Sequence, residues 1–452
     1  MIKQNIFREY DIRGIYNDEI NEEDAYIIGR SFASYISLSG ETWTVVGHDN
    51  RLSSPKLTEN LIKGIIDSGI NVYNLGLVTT PMYYFMRKYL KSNTGIMVTA
   101  SHNPKEYNGF KIAFAKEGNA YGDYIRKFRD FTNKGNFKTG KAIVKDVNLR
   151  DEYINLLTSS IDLGKRKIKV IFDCGNGTAS IIIKDILDKI PNIEYKLLYC
   201  ESNGNFPNHH PDPTVHSNLE ELGKKVKELN YDLGIGIDGD ADRVGVVDEN
   251  GNPIDTDLYM IIMYRYLNKN LKTRKGLFDV KCSKSLIDEL IKLDIEPVMY
   301  RTGNSYSNMM MQKGNFDFGG EYSGHVFFRD KFPGFDDGIY AGLRMIEVLS
   351  NTDKKLSSLL DGINKYYSTE ELKIPVSDDI KNDIVEKVKK YCIDKNYSFK
   401  DIDGIRVEFD DSWALIRVSN TSPNLTVRFE ANNEDRLKEI QNEFISLIDS
   451  LL

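Results

Sequence analysis

Cysteine is scarce in this chain of 452 residues, with four in all, and none of the four forms a short paired motif with another. Cys174, Cys200, Cys282 and Cys392 therefore exclude a thiolate zinc site and read as reduced, mostly buried thiols rather than a disulfide frame. Long hydrophobic runs are missing too: none approaches the ~18 to 20 residues that a bilayer crossing needs. The amino terminus, MIKQNIFREYDIRG, is charged throughout, so neither a signal peptide nor an anchor is expected, and the cytoplasm is the expected location. Excess positive charge is absent as well. A net charge of -7 with no basic run excludes a phosphate-backbone grip on nucleic acid, while a small anion held in a local pocket stays open. Histidine is rare, and His48, His209, His210 and His216 have spacing too poor for a metal site, so they read as loop residues.

What the chain does have is length and apolar content. At 452 residues and 40% hydrophobic composition it is too long for one ordinary core, and several domains with real interiors are expected. One order of elements recurs three times, each time as strand, polar loop, helix, strand, helix, strand. The first copy has strands at 43–46, 72–75 and 94–98, the second at 167–172, 194–199 and 232–237, and the third at 277–280, 297–300 and 316–318. In the second copy the first helix is expected over 181–190. Alternating strands and helices imply mixed, largely parallel α/β sheets, whose ligands collect beyond the carboxyl ends of the strands. The most polar loops fall there, at 99–104, 238–243 and 321–325, and are candidates for one central cleft. After residue 364 the pattern changes to a smaller α+β unit. The expected domains are 1–147, 148–252, 253–364 and 365–452.

Two of these loops carry chemistry legible from residue type. In TASHNP, Ser101 sits at a strand tip with His102 beside it and Lys111 a turn later. Serine is a weak nucleophile until a neighbour takes its proton or cations stabilise charge on its oxygen. Taken alone, the hexapeptide is equally well a turn-capping serine with an incidental histidine. In the second loop Asp238, Asp240 and Asp242 alternate directly after an apolar strand, bringing together hard oxygen ligands of the kind that Mg²⁺ or Ca²⁺ takes. Arg243 at the position where an EF-hand needs glycine, and the strand rather than helix that follows, speak against that motif, which leaves a solvated acidic turn as the other reading of the loop.

TASHNP at Thr99, DGDADR at Asp238, GEYSGH at Gly320 and RVSNTSP at Arg417 together resemble the four signature loops of the α-D-phosphohexomutases, one per domain and in family order. FREYDIRG at Phe7, GNFPNHHPDP at Gly204, FDVKC at Phe278 and GHVFFRDKFPGFDDGIY at Gly324 resemble the bacterial phosphomannomutase/phosphoglucomutase branch. The resemblance implies that Ser101 is the serine phosphorylated in the active enzyme. It implies that Asp238, Asp240 and Asp242 hold Mg²⁺, with the serine phosphate completing the site. Lys111 and His325 correspond to the general acid and base, and Arg13, His102, Arg243 and Lys281 to the lining of the reaction centre. Glu321 and Ser323 correspond to the pair that reads sugar hydroxyls, and Asn304 lies in a loop that orients the sugar. Arg417, Ser419, Asn420 and Thr421 correspond to the loop that holds the phosphate not undergoing reaction. Ala241, Asn304 and Tyr322 depart from the residues common in this branch, which have glycine, histidine and methionine there.

The reading is a four-domain, Mg²⁺-dependent mutase that interconverts hexose 1-phosphate and 6-phosphate, of mannose or glucose, through phosphoserine and a 1,6-bisphosphate. Glucose 1,6-bisphosphate is the expected activator, small hexose phosphates are the partners, no nucleic acid or membrane is engaged, and the chain is read as a monomer. The alternatives are a phosphoglucosamine mutase, or a catalytically silent sugar-phosphate-binding protein. Retention of Ser101 and all three aspartates speaks against the silent form.

Overall fold

The computed structural model describes residues 2–114, 118–377, 379–419 and 423–452. Internal contacts divide it into two compact units, Met1–Thr256 with Ser323–Leu359, and Asp257–Tyr322 with Leu360–Leu452.

The first unit holds two mixed sheets. One contains β1 (Ile12–Ile15), β2 (Trp43–His48), β3 (Asn71–Leu77), β4 (Gly95–Val98), β5 (Tyr107–Phe114), β6 (Gly118–Asn119) and β7 (Val144–Asp146), in the order β1-β5-β4-β2-β3-β7, with β6 pairing β5. The other contains β8 (Ile168–Asp173), β9 (Ile193–Leu198), β10 (Leu233–Ile237), β11 (Val244–Val247) and β12 (Pro253–Ile254), in the order β12-β11-β10-β8-β9. The central strands are apolar because helices cover them: Val46, Ile96, Val98 and Ile112 enter one core with the helices Glu22–Ser37 and Ser54–Ile66.

Both sheets place their chemical loop at the same point. β4 lies parallel to β2 on one side and antiparallel to β5 on the other, and β10 stands in the same relation to β8 and β11. The loops leaving β4 and β10 are therefore hairpin loops at the carboxyl end of the last parallel strand.

The second unit begins with the parallel strands Glu296–Tyr300, Lys275–Asp279 and Phe318–Gly320, side by side in that order. Its carboxyl-terminal part is an antiparallel sheet whose long strands are Ile405–Glu408, Ser412–Val418 and Asn424–Ala431. Leu372–Pro375 pairs with the last of these. The helices Lys381–Asp394 and Glu434–Leu451 supply Val388 and Phe444 to a core shared with Ile416 and Val427. Among the described residues no helix is long and apolar enough to cross a membrane.

Two expectations need correction, and one helix sets the bounds of the units. The helix expected over 181–190 is a 3₁₀ turn, Thr178–Ile181, followed by the short helix Ile183–Leu187. The run of β-branched Ile181, Ile182 and Ile183 crowds a helical backbone at that point. Cys174 and Cys200 are bonded as a disulfide, while Cys282 and Cys392 are buried thiols. The two partners lie 26 residues apart in sequence, but parallel pairing of β8 with β9 sets Asp173 opposite Leu198 and brings the Cα atoms to 5.0 Å. Finally, the helix Gly338–Ser350 is buried along its whole length and packs against β8, β10 and β11, so residues 323–359 belong to the first unit.

Candidate active site

Ser101 occupies a strained position. It follows β4 in a turn, its φ is +49°, and it is 2% exposed. A left-handed conformation disfavours serine by about 1 kcal/mol, a cost that collects at functional sites. The turn holds it through Thr99, whose Oγ1 accepts from the Ser101 amide at 2.8 Å. The Ser101 hydroxyl donates to Asp238 Oδ2 at 2.9 Å and lies 3.3 Å from His102 Nδ1. Gly239 explains how the two loops approach so closely, because a Cβ there would stand 2.6 Å from the Ser101 carbonyl oxygen.

The three aspartates of the β10–β11 loop are fully buried, and their carboxylate oxygens lie within 4.8 Å of one another. Thr80 Oγ1 donates to Asp240 Oδ2 at 2.7 Å, and the Lys111 Nζ lies 2.7 Å from that oxygen and 2.5 Å from Asp242 Oδ2. Lys111 reaches them from β5, in register with Met97 of β4. Burial pushes the Asp238 carboxyl well above the usual carboxylate range, and its two neighbours add to this. Burial would do the same to Asp240, but Lys111 overrides it and holds that carboxyl low. Asp240 and Asp242 pull the Lys111 ammonium well above its ordinary value despite its burial, so it stays charged. The Lys111 ammonium and the buried Arg243 guanidinium against three buried carboxylates leave negative charge in excess. Asp240 Oδ1 and Asp242 Oδ1 are buried without a hydrogen-bond donor, and such a donor set fits a hard divalent cation. Ala241, between two of the aspartates, has φ +71°, so glycine would relieve about 1 kcal/mol there.

Arg243 and His325 flank this cluster. The Arg243 amide donates to Asp238 Oδ1 at 3.1 Å and its Nε donates to His325 Nε2 at 3.0 Å. His325 Nδ1 lies 2.8 Å from Asp336 Oδ2 and 3.6 Å from Asp242 Oδ1. Arg13 is held by Asp11 and donates to Asn103 Oδ1 at 2.7 Å. Burial, then Arg243 and Arg13, keep the His102 imidazole well below its ordinary pKa and so neutral. Asp336 and Thr80 were not singled out by the sequence. The pair Asp336-Asp337 in FDDGIY is the available signal for the first, and nothing local marks the second.

In the second unit Glu321 accepts from the Gly303 amide at 3.2 Å and from Ser307 Oγ at 2.5 Å, which ties it to the loop bearing Asn304. Asn304 opens the helix Asn304–Lys313. Tyr322 donates its amide to Asp279 at 3.0 Å, and the Arg428 guanidinium stacks 3.7 Å from its ring. Ser323 begins the second segment of the first unit. Arg417 pairs with Asp403 at 2.9 Å, and the Ser419 amide donates to Asn424. Asn420 and Thr421 lie outside the described residues. Among the described residues His48, His209, His210 and His216 belong to no metal-ligating cluster.

Lys281 binds Glu371 at 2.9 Å. Burial alone would raise the Glu371 carboxyl, but Lys281, then Arg417 and Arg428, hold it at about 2. A carboxyl lowered in the folded state contributes stability that is complete above its unfolded pKa of ~4.5 and lost as the pH falls toward 2. Glu371 keeps 29% of its side-chain exposure, and with that screening the contribution is on the order of 2 kcal/mol. Glu371→Gln is therefore expected to lower the melting temperature at pH 7 and to narrow its gap from the parent protein as the pH drops from 4.5 to 3. Parallel melting curves across that range would contradict the assignment.

Comparison with known proteins agrees along the whole chain. Family models described as phosphoglucomutase/phosphomannomutase alpha/beta/alpha domains I, II and III match residues 4–139, 151–251 and 255–366, and the C-terminal domain of that family matches 371–447. A phosphomannomutase/phosphoglucomutase of Pseudomonas syringae pv. tomato is 40% identical over 444 residues, covering 98% of this chain and 95% of that protein. A phosphoglucomutase of Neisseria gonorrhoeae is 39% identical over 456 residues, covering 99% and 98%. The crystal structure of a phosphoglucomutase/phosphomannomutase family protein from Burkholderia thailandensis superposes with a TM-score of 0.91 at 34% identity, covering 100% of this chain and 98% of that one. With all four family domains matched in order and relatives near 40% identity spanning it end to end, the chain belongs to the phosphoglucomutase/phosphomannomutase family.

Proposed function

We propose that the protein is a mutase that interconverts the 1-phosphate and 6-phosphate of glucose and mannose, with Ser101 as the phosphoryl carrier. The observation that carries this reading is the Ser101 hydroxyl 2.9 Å from Asp238, beside two carboxylates with undonated oxygens, in a chain of this family. In the first half-reaction the P–O bond to Ser101 breaks as one forms to the free hydroxyl of the hexose monophosphate, which yields the 1,6-bisphosphate. In the second, the other phosphate returns to Ser101.

Phosphoryl transfer asks mainly for positioning and charge stabilisation. Asp238, Asp240 and Asp242 would hold Mg²⁺, which when bound neutralises phosphate charge. Lys111, in the position that the family pattern gives to the general acid, would protonate Ser101 Oγ as it leaves. His325, with Nδ1 facing Asp336, is suited to take the proton of the attacking hydroxyl at Nε2, which in the resting state accepts from Arg243. Arg13, Arg243 and neutral His102 line the reacting phosphate. Lys281 lines the reaction centre with them, and Arg417 serves as the cation for the phosphate that does not react, joined by Ser419, Asn420 and Thr421. Glu321, Ser323 and Asn304 read the sugar. The reading includes glucose 1,6-bisphosphate as the priming activator, a monomeric state and a cytoplasmic location.

The test compares kcat/KM for glucose, mannose and glucosamine 1-phosphates with glucose 1,6-bisphosphate present. Comparable values for glucose and mannose are expected, because the two sugars differ only at carbon 2. A glucosamine value tenfold above both, about 1.4 kcal/mol in transition-state binding, would establish a phosphoglucosamine mutase instead.

A further inference from the structure

A side chain outside the signature loops grips the Ser101 turn from behind. Arg51 follows β2 and is 1% exposed. Its Nη2 donates to the carbonyl oxygens of Ser101 at 2.7 Å and Asn103 at 2.6 Å, and its Nη1 to those of Pro104 at 2.7 Å and Tyr107 at 3.1 Å. Four carbonyls, three in the Ser101 turn and one at the start of β5, thus converge on one planar group. Asp49 balances the charge, with Oδ2 3.2 Å from Arg51 Nε, and its Oδ1 accepts from the Arg51 amide at 3.1 Å and from Ser54 Oγ at 2.5 Å.

The segment GNFP at 204–207, which has no part in the reaction as proposed, closes over the same group. The Phe206 ring lies 5.2 Å from the Arg51 guanidinium carbon. Gly204 passes so near that a Cβ there would stand 2.4 Å from the Asn50 carbonyl oxygen, which is why the residue is glycine. Asn50 Nδ2 in turn donates to the Asn176 carbonyl at 2.7 Å. The grip is therefore built from both sheets of the first unit.

A turn with a serine at φ +49° and three inward carbonyls would not hold this shape unaided. A guanidinium presents five donors in a fixed plane and stays charged when buried, whereas an ammonium has three tetrahedral donors and cannot serve the same four acceptors. We propose that Arg51, seated by Asp49 and covered by Phe206, is the positioning residue that sets Ser101 for phosphoryl transfer, and that this is the role of the GNFP segment. The inference rests on Ser101 being the phosphoryl carrier.

The test uses the full chain, ³²P-labelled glucose 1,6-bisphosphate and the variant Arg51→Lys. Misplacing a reacting atom by about 1 Å costs on the order of a hundredfold in rate, so labelling of Ser101 and kcat should both fall by about that factor. The KM for glucose 1-phosphate should change less than about threefold, since Arg51 lies behind the loop rather than against the sugar. Phe206→Leu, which leaves the ion pair with Asp49 in place, should show a smaller loss of about tenfold by the same route. Hydrogen exchange in the unsubstituted protein supplies a reading that needs no variant to fold: peptides over 99–107 should be protected although the turn has no regular structure, and in Phe206→Leu the loss of protection should be confined to them. A folded Arg51→Lys labelled within about threefold of the parent rate, or a 99–107 turn that exchanges as freely as an open loop, overturns the proposal. Failure of the unsubstituted protein to take label on Ser101 overturns the carrier role itself, a result distinct from either.

Discussion

Ser101→Ala is expected to lose turnover by on the order of 10⁴-fold or more, because no neighbouring group can replace a positioned nucleophile. The nearest candidates are poor substitutes. His102 is neutral but held at the edge of the turn by the same backbone, and Lys111 is locked as a cation between Asp240 and Asp242. The unsubstituted protein incubated with glucose 1,6-bisphosphate should show an intact-mass species heavier by one phosphate, and Ser101→Ala should show none. The Ser101 hydroxyl donates a hydrogen bond to Asp238 Oδ2, so the alanine variant also leaves that oxygen without this donor, while Oδ1 keeps the Arg243 amide. The fold should survive this, since the cluster already tolerates undonated oxygens on Asp240 and Asp242. A phosphate that maps to another residue would transfer the carrier role away from Ser101.

Removal of divalent metal should be nearly as damaging, and for a reason visible in the charges. Three buried carboxylates outnumber the Lys111 ammonium and the Arg243 guanidinium beside them, and bringing a phosphate dianion to Ser101 adds to the excess. Chelator should therefore abolish turnover, and Mg²⁺ should restore it. Asp240→Asn removes the carboxylate that Lys111 holds in its charged form. As a ligand in the proposed Mg²⁺ site, Asp240 should cost more on removal than the ten- to hundredfold of outer-shell partners, so metal affinity should fall by at least about a hundredfold. Titration with Mn²⁺ measures that affinity separately from activity. Full activity in excess chelator would remove the aspartates from the chemistry.

Some parts of the site are carried by local residue pattern and others only by tertiary contact. Alternation of Asp238, Asp240 and Asp242 after a buried strand is a local pattern, and a reader of residues alone can assign it oxygen-ligand chemistry. The repeat of strand, loop and helix was equally open to inspection, because hydrophobic periodicity is carried by each segment on its own. Ser101 was weaker, since a serine after a strand is ordinarily a turn cap. Its standing depended on the company of the other signature loops.

Other features had no local signature. Asp336 stands beside His325 because the chain leaves β-structure and returns as the helix Gly338–Ser350, packed on the second sheet. Thr80 reaches Asp240 from a helix 160 residues away in sequence. The Cys174–Cys200 bond was misjudged from spacing alone, since a gap of 26 residues says nothing about which parallel strands are neighbours. Arg51 lies just after β2 with nothing local to mark it, and only the folded turn reveals four carbonyls aimed at it.

By itself the sequence determined the apolar rhythm of the strands and helices, the identity of the acidic loop, and the family. These follow from residue type and spacing along one segment, where the side-chain period and the chemistry of the ligands are local properties. The tertiary structure alone decided which protons and charges meet. Lys111 stays charged, Asp238 is pushed up and Ser101 is held at a left-handed φ because strand pairing places distant groups within hydrogen-bond reach in a buried space. Both the strength and the sign of such interactions depend on distance and burial, which no single segment of the chain contains.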